Sequence, residues 1–158
     1  DAIASHATRA VEKLRQEELV AKHLRVFMHT SLFNQFEPRY SGSDGVDLLP
    51  PTNATHRIIK EALAIARSLW KDGFKYKRAG VYMPGLAKGR VQQSLFETEA
   101  QIENDNRMMQ VLDDINAKMG AGTLHFAASG FSGKWHMRQL NKSPRYTTRW
   151  DELPVIML

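Results

Sequence analysis

Apolar residues in the first part of the chain recur at two different spacings. Ile3, Val11 and Leu14 belong to a series at helical spacing with charged residues on the opposite side, which predicts an amphipathic helix over residues 2–20. Apolar and polar residues then alternate one by one towards Ser31, which is the period of a strand with one buried face. The chain is therefore predicted to open with a helix and a half-buried strand.

Prolines, glycines and a second apolar face organise the residues that follow. Residues 34–45 are rich in turn-forming residues and predict a loop, and residues 46–49 predict a short strand that the next prolines stop. A broad apolar face over residues 58–70 predicts a second helix, with Thr52 or Asn53 as its N-terminal cap. The order up to this point is helix, strand, strand, helix.

The remaining pattern predicts one more strand and a second, smaller unit. Residues 74–83 mix aromatic, branched and basic side chains and predict a strand, whereas residues 84–99 lose any period and predict a surface linker. A third helix is predicted over residues 99–119, followed by candidate strands over 123–127 and 134–139. The elements together predict an α+β fold with a small helix-plus-strand C-terminal domain.

Composition narrows the classes of function. The 158 residues are 42% hydrophobic, carry a net charge of +5 and lack cysteine. The sequence pI of about 9.6 favours polyanionic partners such as nucleic acid, and the absence of cysteine excludes disulfides and thiol chemistry. No apolar run reaches the roughly 18 residues of a membrane span, and the start does not resemble a secretory signal, so a cytoplasmic protein is expected.

Four basic residues on the predicted strands are candidate phosphate contacts. They are Arg25, Lys75, Lys77 and Arg78. A sheet with such residues on one face and helices on the other would fit along a nucleic-acid backbone. A solvated sheet face explains them equally well, because lysines on strands also protect sheet edges from pairing.

Cations and aromatic residues also alternate near the end of the chain. Arg145, Tyr146 and Arg149 are candidates for contacts with a partner or with nucleic acid, since aromatic rings stack on bases and arginines bind phosphates. The neighbouring Trp150 is more readily explained as part of a small core. The role of the arginines stays open.

A polar lead-in followed by two large apolar residues stands in the predicted linker. The segment consists of Gln92, Gln93, Ser94, Leu95 and Phe96. As a linear peptide it would place Leu95 and Phe96 in an apolar pocket while the Gln92 amide fixes the register. From the residues alone, folding back onto a neighbouring domain is the better interpretation.

No arrangement of residues predicts an active site or a metal site. Asp113 and Asp114 are adjacent on a predicted helix, so their carboxylates diverge and cannot share one metal. The six histidines show no ligand spacing, and no phosphate-binding glycine loop occurs.

Several stretches resemble the C-terminal part of UmuC-type Y-family translesion DNA polymerases. They are residues 10–15, 29–31, 77–81 and above all 143–149, Ser-Pro-Arg-Tyr-Thr-Thr-Arg, and they span nearly the whole chain. The resemblance implies a little-finger-type antiparallel sheet packed on two helices over residues 1–86. It further implies a linker over 87–98 with a clamp-binding pentapeptide, and a UmuC-specific C-terminal domain over 99–158.

The same resemblance implies function and partners. The parent protein would perform error-prone synthesis past DNA damage in the SOS response, and this segment would hold damaged template-primer DNA and the bacterial sliding clamp. The UmuD′ dimer and the RecA filament are implied as further partners. The catalytic palm and its Mg²⁺ would lie outside this segment, which is expected to need no cofactor. A free-standing clamp- or RecA-binding module, outside any polymerase, is the alternative.

One strand of the family fold is missing from the predicted order. The little finger opens with a strand before its first helix, and in a split βαβ arrangement that strand lies inside the sheet. Its absence would leave unpaired backbone groups on two neighbours. Either the remaining strands close up, or a segment of the C-terminal region or of a second copy pairs there, and the second outcome is the expected one.

Overall fold

The computed structural model describes residues 1–33, 36–88, 99–131 and 142–153. The helices of these residues are α1 (Ala2–Gln16), α2 (Thr55–Leu69) and α3 (Glu99–Met119), and the strands are β1 (Leu19–Thr30), β2 (Ser41–Thr52), β3 (Tyr76–Tyr82) and β4 (Leu86–Lys88). Short 3-10 turns follow at Ala127–Ser129 and Trp150–Glu152. The predicted α+β class, with an antiparallel sheet packed on two helices, is confirmed.

Strand β1 is the centre of the sheet and is paired antiparallel along both edges. On one side it pairs with β2 and on the other with β3, so that Phe27 lies between Ser43 and Gly80. The short strand β4 pairs with the start of β1, Leu19 opposite Lys88, in the register that β3 already has. Strand β4 therefore continues β3 along the same edge of β1.

The two sides of β1 meet different environments. Leu24, Val26 and Met28 are buried and join α1 and α2 in one hydrophobic core. The alternate residues point away from the helices, because successive side chains of a strand face opposite sides of the sheet. Both helices consequently cover one side of the sheet.

Strand β2 is longer than its sequence pattern predicts, and it runs through the prolines that were expected to stop it. Pairing shifts between Ala21 and His23, so Pro50 and Pro51 fall in an irregular part of the ladder. Proline is tolerated at such a bulge because no ladder N–H is required of it. The loop predicted over residues 34–45 therefore ends earlier, because β2 already begins at Ser41.

The turn before α2 differs from the predicted cap. Neither Thr52 nor Asn53 caps the helix, whose first flanking residue is Ala54. The Thr52 hydroxyl instead accepts a hydrogen bond from the Ala54 N–H at 3.1 Å, and the Asn53 amide donates to the Leu19 carbonyl at 3.1 Å. Both side chains stabilise the strand-to-helix connection.

Two further predictions about secondary structure were wrong. Leu86–Lys88 belongs to the sheet, whereas the sequence pattern assigned it to the surface linker. Residues 123–127 do not form a strand, because the Asn116 side chain takes the place of a strand partner: it accepts from the Leu124 N–H at 2.8 Å and donates to the Leu124 carbonyl at 2.9 Å. The other candidate strand, 134–139, lies outside the described residues.

The described part of the C-terminal region contacts the helices. Arg15 of α1 forms two hydrogen bonds of 2.6 Å with the Asp113 carboxylate of α3, and Met109 is buried beside the start of α2. The Ser129 carbonyl accepts a hydrogen bond from the Ser5 hydroxyl of α1 at 3.2 Å. These contacts add a third layer behind the helices.

The expected gap in the sheet is absent from the part of the chain that the structure describes. Because β1 pairs directly with both β2 and β3, the strands have closed up and leave no internal row of unpaired groups. The preferred expectation, that a segment of a second copy or of the C-terminal region pairs in the gap, was wrong, since β1 already pairs with β2 and β3 at that place.

Removing the Arg15 guanidinium should loosen the third layer. Its side chain is only 10% exposed and also donates to the Thr55 hydroxyl at 2.7 Å and to the Asn53 carbonyl at 3.1 Å. We expect Arg15→Ala to lower the free energy of unfolding in urea by about 2–3 kcal/mol, since the loss leaves several acceptors unpaired. Lys75→Ala removes the ion pair with Glu37. It should lower the free energy of unfolding by less than about 1 kcal/mol, because the lysine side chain is 78% exposed. Equal losses in the two variants would contradict this role of Arg15.

Candidate nucleic-acid interface

The side of the sheet opposite the helices carries the candidate interface. The strand registers arrange it as three rows across β2, β1 and β3, which we call the outer face: Gly45, Arg25 and Tyr82; Ser43, Phe27 and Gly80; Ser41, His29 and Arg78. The outward positions of β2 are small, and the large side chains come from β1 and β3.

Two glycines allow the side chains of β1 to lie flat across their neighbours. A Cβ atom at position 45 would lie 2.6 Å from Cγ of Arg25 and 2.8 Å from the Leu24 carbonyl oxygen. At position 80 it would lie 2.6 Å from the Phe27 ring. Because Gly45 and Gly80 have no side chains, the outer face is nearly flat at these positions.

Arg25 and Arg78 supply its positive charge. They are four strand positions apart along the sheet, about 13 Å at the usual rise of a strand. The Arg25 guanidinium lies 3.5 Å from the Tyr82 hydroxyl, and neither arginine is in an ion pair among the described residues. Both charges are therefore available to an anion.

Charge along the sheet is uneven. Beyond the Arg25 row, Nδ1 of His23 lies 2.5 Å from the Asp47 carboxylate. This acid makes the His23 end of the sheet less attractive to a polyanion than the end that carries Arg78. Within the three rows of the outer face, no acidic residue is present and Arg25 and Arg78 are the basic ones.

The two lysines predicted with these arginines occupy different surroundings. Lys75 forms a 2.7 Å ion pair with Glu37, and the hydrogen bond to this carboxylate, together with its charge, raises the pKa of the lysine. Lys77 is exposed and is the extra residue where the pairing of β1 with β3 shifts between His29 and Thr30. It borders a cavity of about 630 Å³ at the edge of β3. The structure thus brings Arg25 and Arg78 together and neutralises Lys75.

Several members of the outer face were not among the candidates predicted from the sequence. His29 and Phe27 alternate with the buried residues of β1, and this period could have identified them. Ser41 and Ser43 were hidden, because their segment has the composition of a loop. Tyr82 was recognised as part of a strand, but only the register places its hydroxyl beside Arg25.

Arg145, Tyr146 and Arg149 lie in a compact turn near the end of the described residues. The Glu152 carboxylate accepts a 2.5 Å hydrogen bond from the Arg145 N–H and lies 3.3 Å from the Arg149 guanidinium. Arg149 also pairs with Asp151 at 3.5 Å. The Arg145 guanidinium lies 3.9 Å from the Glu152 carboxylate, so both arginines are partly neutralised, and their proposed contact with a partner stays a prediction. The interpretation of Trp150 as part of a small core was wrong, because its side chain is 89% exposed.

The pentapeptide from Gln92 to Phe96 lies outside the described residues, so its predicted role stays a prediction. Among the residues that are described, no group of three histidine or acidic side chains is placed to hold a metal ion. None of the described helices combines the length and the apolar character needed to cross a membrane.

The fold and the outer face define a one-sided α+β domain, and comparisons with known proteins give its family. Residues 1–95 match the model of the impB/mucB/samB family C-terminal domain, and residues 106–156 match a domain of unknown function (DUF4113). The chain belongs to the impB/mucB/samB family. The resemblance to UmuC-type proteins seen in the sequence motifs is confirmed.

Relatives match over almost the whole chain. Protein UmuC of Salmonella typhimurium is 41% identical over 153 residues, which are 96% of this chain and 36% of the relative. Protein SamB of the same organism is 39% identical over 99% of the chain and 37% of the relative, and protein MucB of Escherichia coli is 32% identical over 98% and 36%. The chain therefore spans little more than a third of the length of these relatives.

A side chain at position 45 should disturb the outer face. We expect Gly45→Ala to lower the free energy of unfolding by about 1–3 kcal/mol, because the added methyl group would crowd both Arg25 and the backbone of Leu24. Ser43→Ala, two positions away on the same strand, should change it by less than about 0.5 kcal/mol. Thermal unfolding of both variants measures the difference. A Gly45→Ala protein as stable as Ser43→Ala would show that the close approach is not required.

Proposed function

We propose that this chain is the DNA-binding and clamp-tethering part of an error-prone translesion DNA polymerase, which acts in SOS mutagenesis and DNA repair in the bacterial cytoplasm. The observation that carries the proposal is the outer face with Arg25 and Arg78, which none of the described helices covers and which has α1 and α2 on its opposite side. Membership of a family that includes UmuC, SamB and MucB supports the polymerase context.

The dimensions of the outer face suit duplex DNA. Three strands spaced about 4.8 Å apart give a surface roughly 10 Å across, close to the width of a major groove of about 12 Å. The separation of about 13 Å between Arg25 and Arg78 corresponds to about four base-pair steps. Ser41 and Ser43 add hydroxyl donors for phosphate oxygens without raising the surface. Such a face contacts the backbone and does not select a sequence.

The proposed tether follows directly on the sheet. Strand β4 ends at Lys88, and the pentapeptide Gln92–Phe96 begins four residues later. A clamp bound there would be held close to the β4 end of the sheet, while the Arg78 end stays available to DNA. By the same family context, the UmuD′ dimer and the RecA filament are proposed partners, and Mg²⁺ would act in the palm of the parent protein.

Loss of the two arginines should weaken DNA binding evenly across sequences. Arg25→Ala combined with Arg78→Ala should reduce the slope of log affinity against log salt by about 1.8, since each lost phosphate contact removes about 0.9. Lys77→Ala with Arg78→Ala should act in the same direction. Fluorescence anisotropy with unrelated duplexes at several salt concentrations measures the slope.

The matched control removes two exposed positive charges from other surfaces. Lys60→Ala with Lys118→Ala changes α2 and α3 and lowers the net charge equally. It should leave the slope nearly unchanged. If the control and the arginine variant weaken binding alike, net charge and not the outer face holds the DNA, and discrimination between sequences would equally count against the proposal.

The pentapeptide should bind the bacterial sliding clamp on its own. A peptide of residues 91–97 is expected to have a dissociation constant in the micromolar range, about −8 kcal/mol. Replacing Leu95 and Phe96 by alanine should abolish binding in calorimetry with purified clamp, because both apolar anchors are lost. Gln93→Ala, between the anchor positions, is the control and should retain binding. Full binding by the double variant would remove this segment from the tether.

A further inference from the structure

Hydrogen bonds join Thr30 and Tyr40 at the two ends of the loop between β1 and β2. The Thr30 N–H donates to the Tyr40 carbonyl at 3.0 Å, and the Tyr40 N–H donates to the Thr30 hydroxyl at 2.9 Å. On the far side, the 2.7 Å ion pair of Glu37 with Lys75 joins the loop to the segment before β3. These contacts fix both sides of the loop base.

An aromatic cluster supports the same base. The Tyr40 ring lies 5.3 Å from that of Phe74 and 5.8 Å from that of Tyr76, and its hydroxyl donates to the Leu69 carbonyl at 2.9 Å. The Trp70 ring packs on Tyr76 at 4.8 Å. Tyr40, at the end of the loop, thus packs against the end of α2.

Despite this support, the loop turns its largest apolar side chains to solvent. Leu32 is 65% exposed, Phe33 93% and Phe36 98%. We call these three residues the hairpin tip. Large apolar side chains grouped at the surface are costly in water, and such patches commonly mark binding sites.

The charges around the hairpin tip indicate the class of partner. The two connections at this end of the sheet and the start of β3 carry five basic residues against two acidic ones: Arg39, Lys71, Lys75, Lys77 and Arg78 against Glu37 and Asp72. The last row of the outer face, with His29 and Arg78, borders the loop directly. A hydrophobic protein surface gives no reason for this excess of positive charge, whereas a polyanion does.

We propose that the hairpin tip stacks on unpaired bases of the DNA that the outer face holds, so that the ligand is duplex with an adjoining single strand. The inference rests on the proposed function. Inside a duplex both faces of each base are covered by its neighbours, so the bases of a single strand are far more accessible to aromatic rings at the surface than paired bases are. Base–aromatic stacking is tolerant of sequence, as expected for a face that contacts the backbone.

The test compares two DNA probes with the full 158-residue chain. One probe is a blunt duplex, and the other is the same duplex with a single-stranded overhang that contains the fluorescent base 2-aminopurine. The chain should bind the overhang probe at least about tenfold more tightly and quench its fluorescence by stacking. Phe33→Ala with Phe36→Ala should remove the quenching and the advantage, and should leave blunt-duplex affinity within about twofold.

Three further variants separate stacking from a general apolar contact. Phe33→Leu with Phe36→Leu keeps the apolar character and should behave like the alanine variant, whereas Phe33→Trp with Phe36→Trp should retain the quenching. Leu49→Ala removes an apolar residue that is 86% exposed elsewhere on β2. It should leave the affinity for both probes and the fluorescence quenching unchanged.

The outcomes distinguish the two proposals. Blunt-duplex binding without an overhang advantage overturns the stacking inference and leaves the proposed function standing, whereas no binding of either probe overturns both. A leucine variant that matches the original chain also overturns stacking. If sedimentation shows a dimer that the alanine variant loses, with DNA affinities unchanged, the hairpin tip is a contact between copies and the inference fails.

Discussion

The pairing of β1 along both of its edges is the constraint on which the rest of the structure depends. A central strand cannot shift its register, because a shift by one residue would place Arg25 in the core and expose Val26. The inward residues of β1 are therefore committed to α1 and α2, and the outward ones to the opposite side. Gly45 and Gly80 follow from the same register, since they flank the two largest outward side chains of this strand.

The helix layers behind the sheet make the two sides of the domain different. Helices α1 and α2 cover the inner side, and α3 contacts these helices through buried Met109 and through the fork between Arg15 and Asp113. Asp113 therefore has a structural role in this region, as a partner of Arg15. In the part of the chain that the structure describes, these layers lie behind the sheet and leave the outer face open to a partner.

Positive charge is distributed by pairing as much as by composition. The net charge of +5 describes the whole chain, but Lys75 is bound to Glu37, Arg149 to acids beside it, and Arg15 to Asp113. Arg25 and Arg78 differ because none of the residues that the strand register places opposite them is acidic. A local surface of this kind attracts a polyanion more effectively than an even distribution of the same charges, since opposite charges nearby cancel its field.

The sequence by itself determined the elements whose pattern is local and strong: the three helices, the alternation of β1, and the family, because periods of two and of about 3.6 residues follow directly from the geometry of strands and helices. Both arginines of the outer face were also among the candidates predicted from the sequence. It could not give the length of β2, since Ser41 and Gly42 have the composition of a loop and become a strand only when β1 supplies hydrogen-bond partners. It likewise could not show that Asn116 replaces a strand partner for Leu124, or which lysine is neutralised. Those outcomes were decided by tertiary structure. They depend on side chains and backbone groups that follow no periodic pattern or are distant along the chain, and these groups meet only after folding.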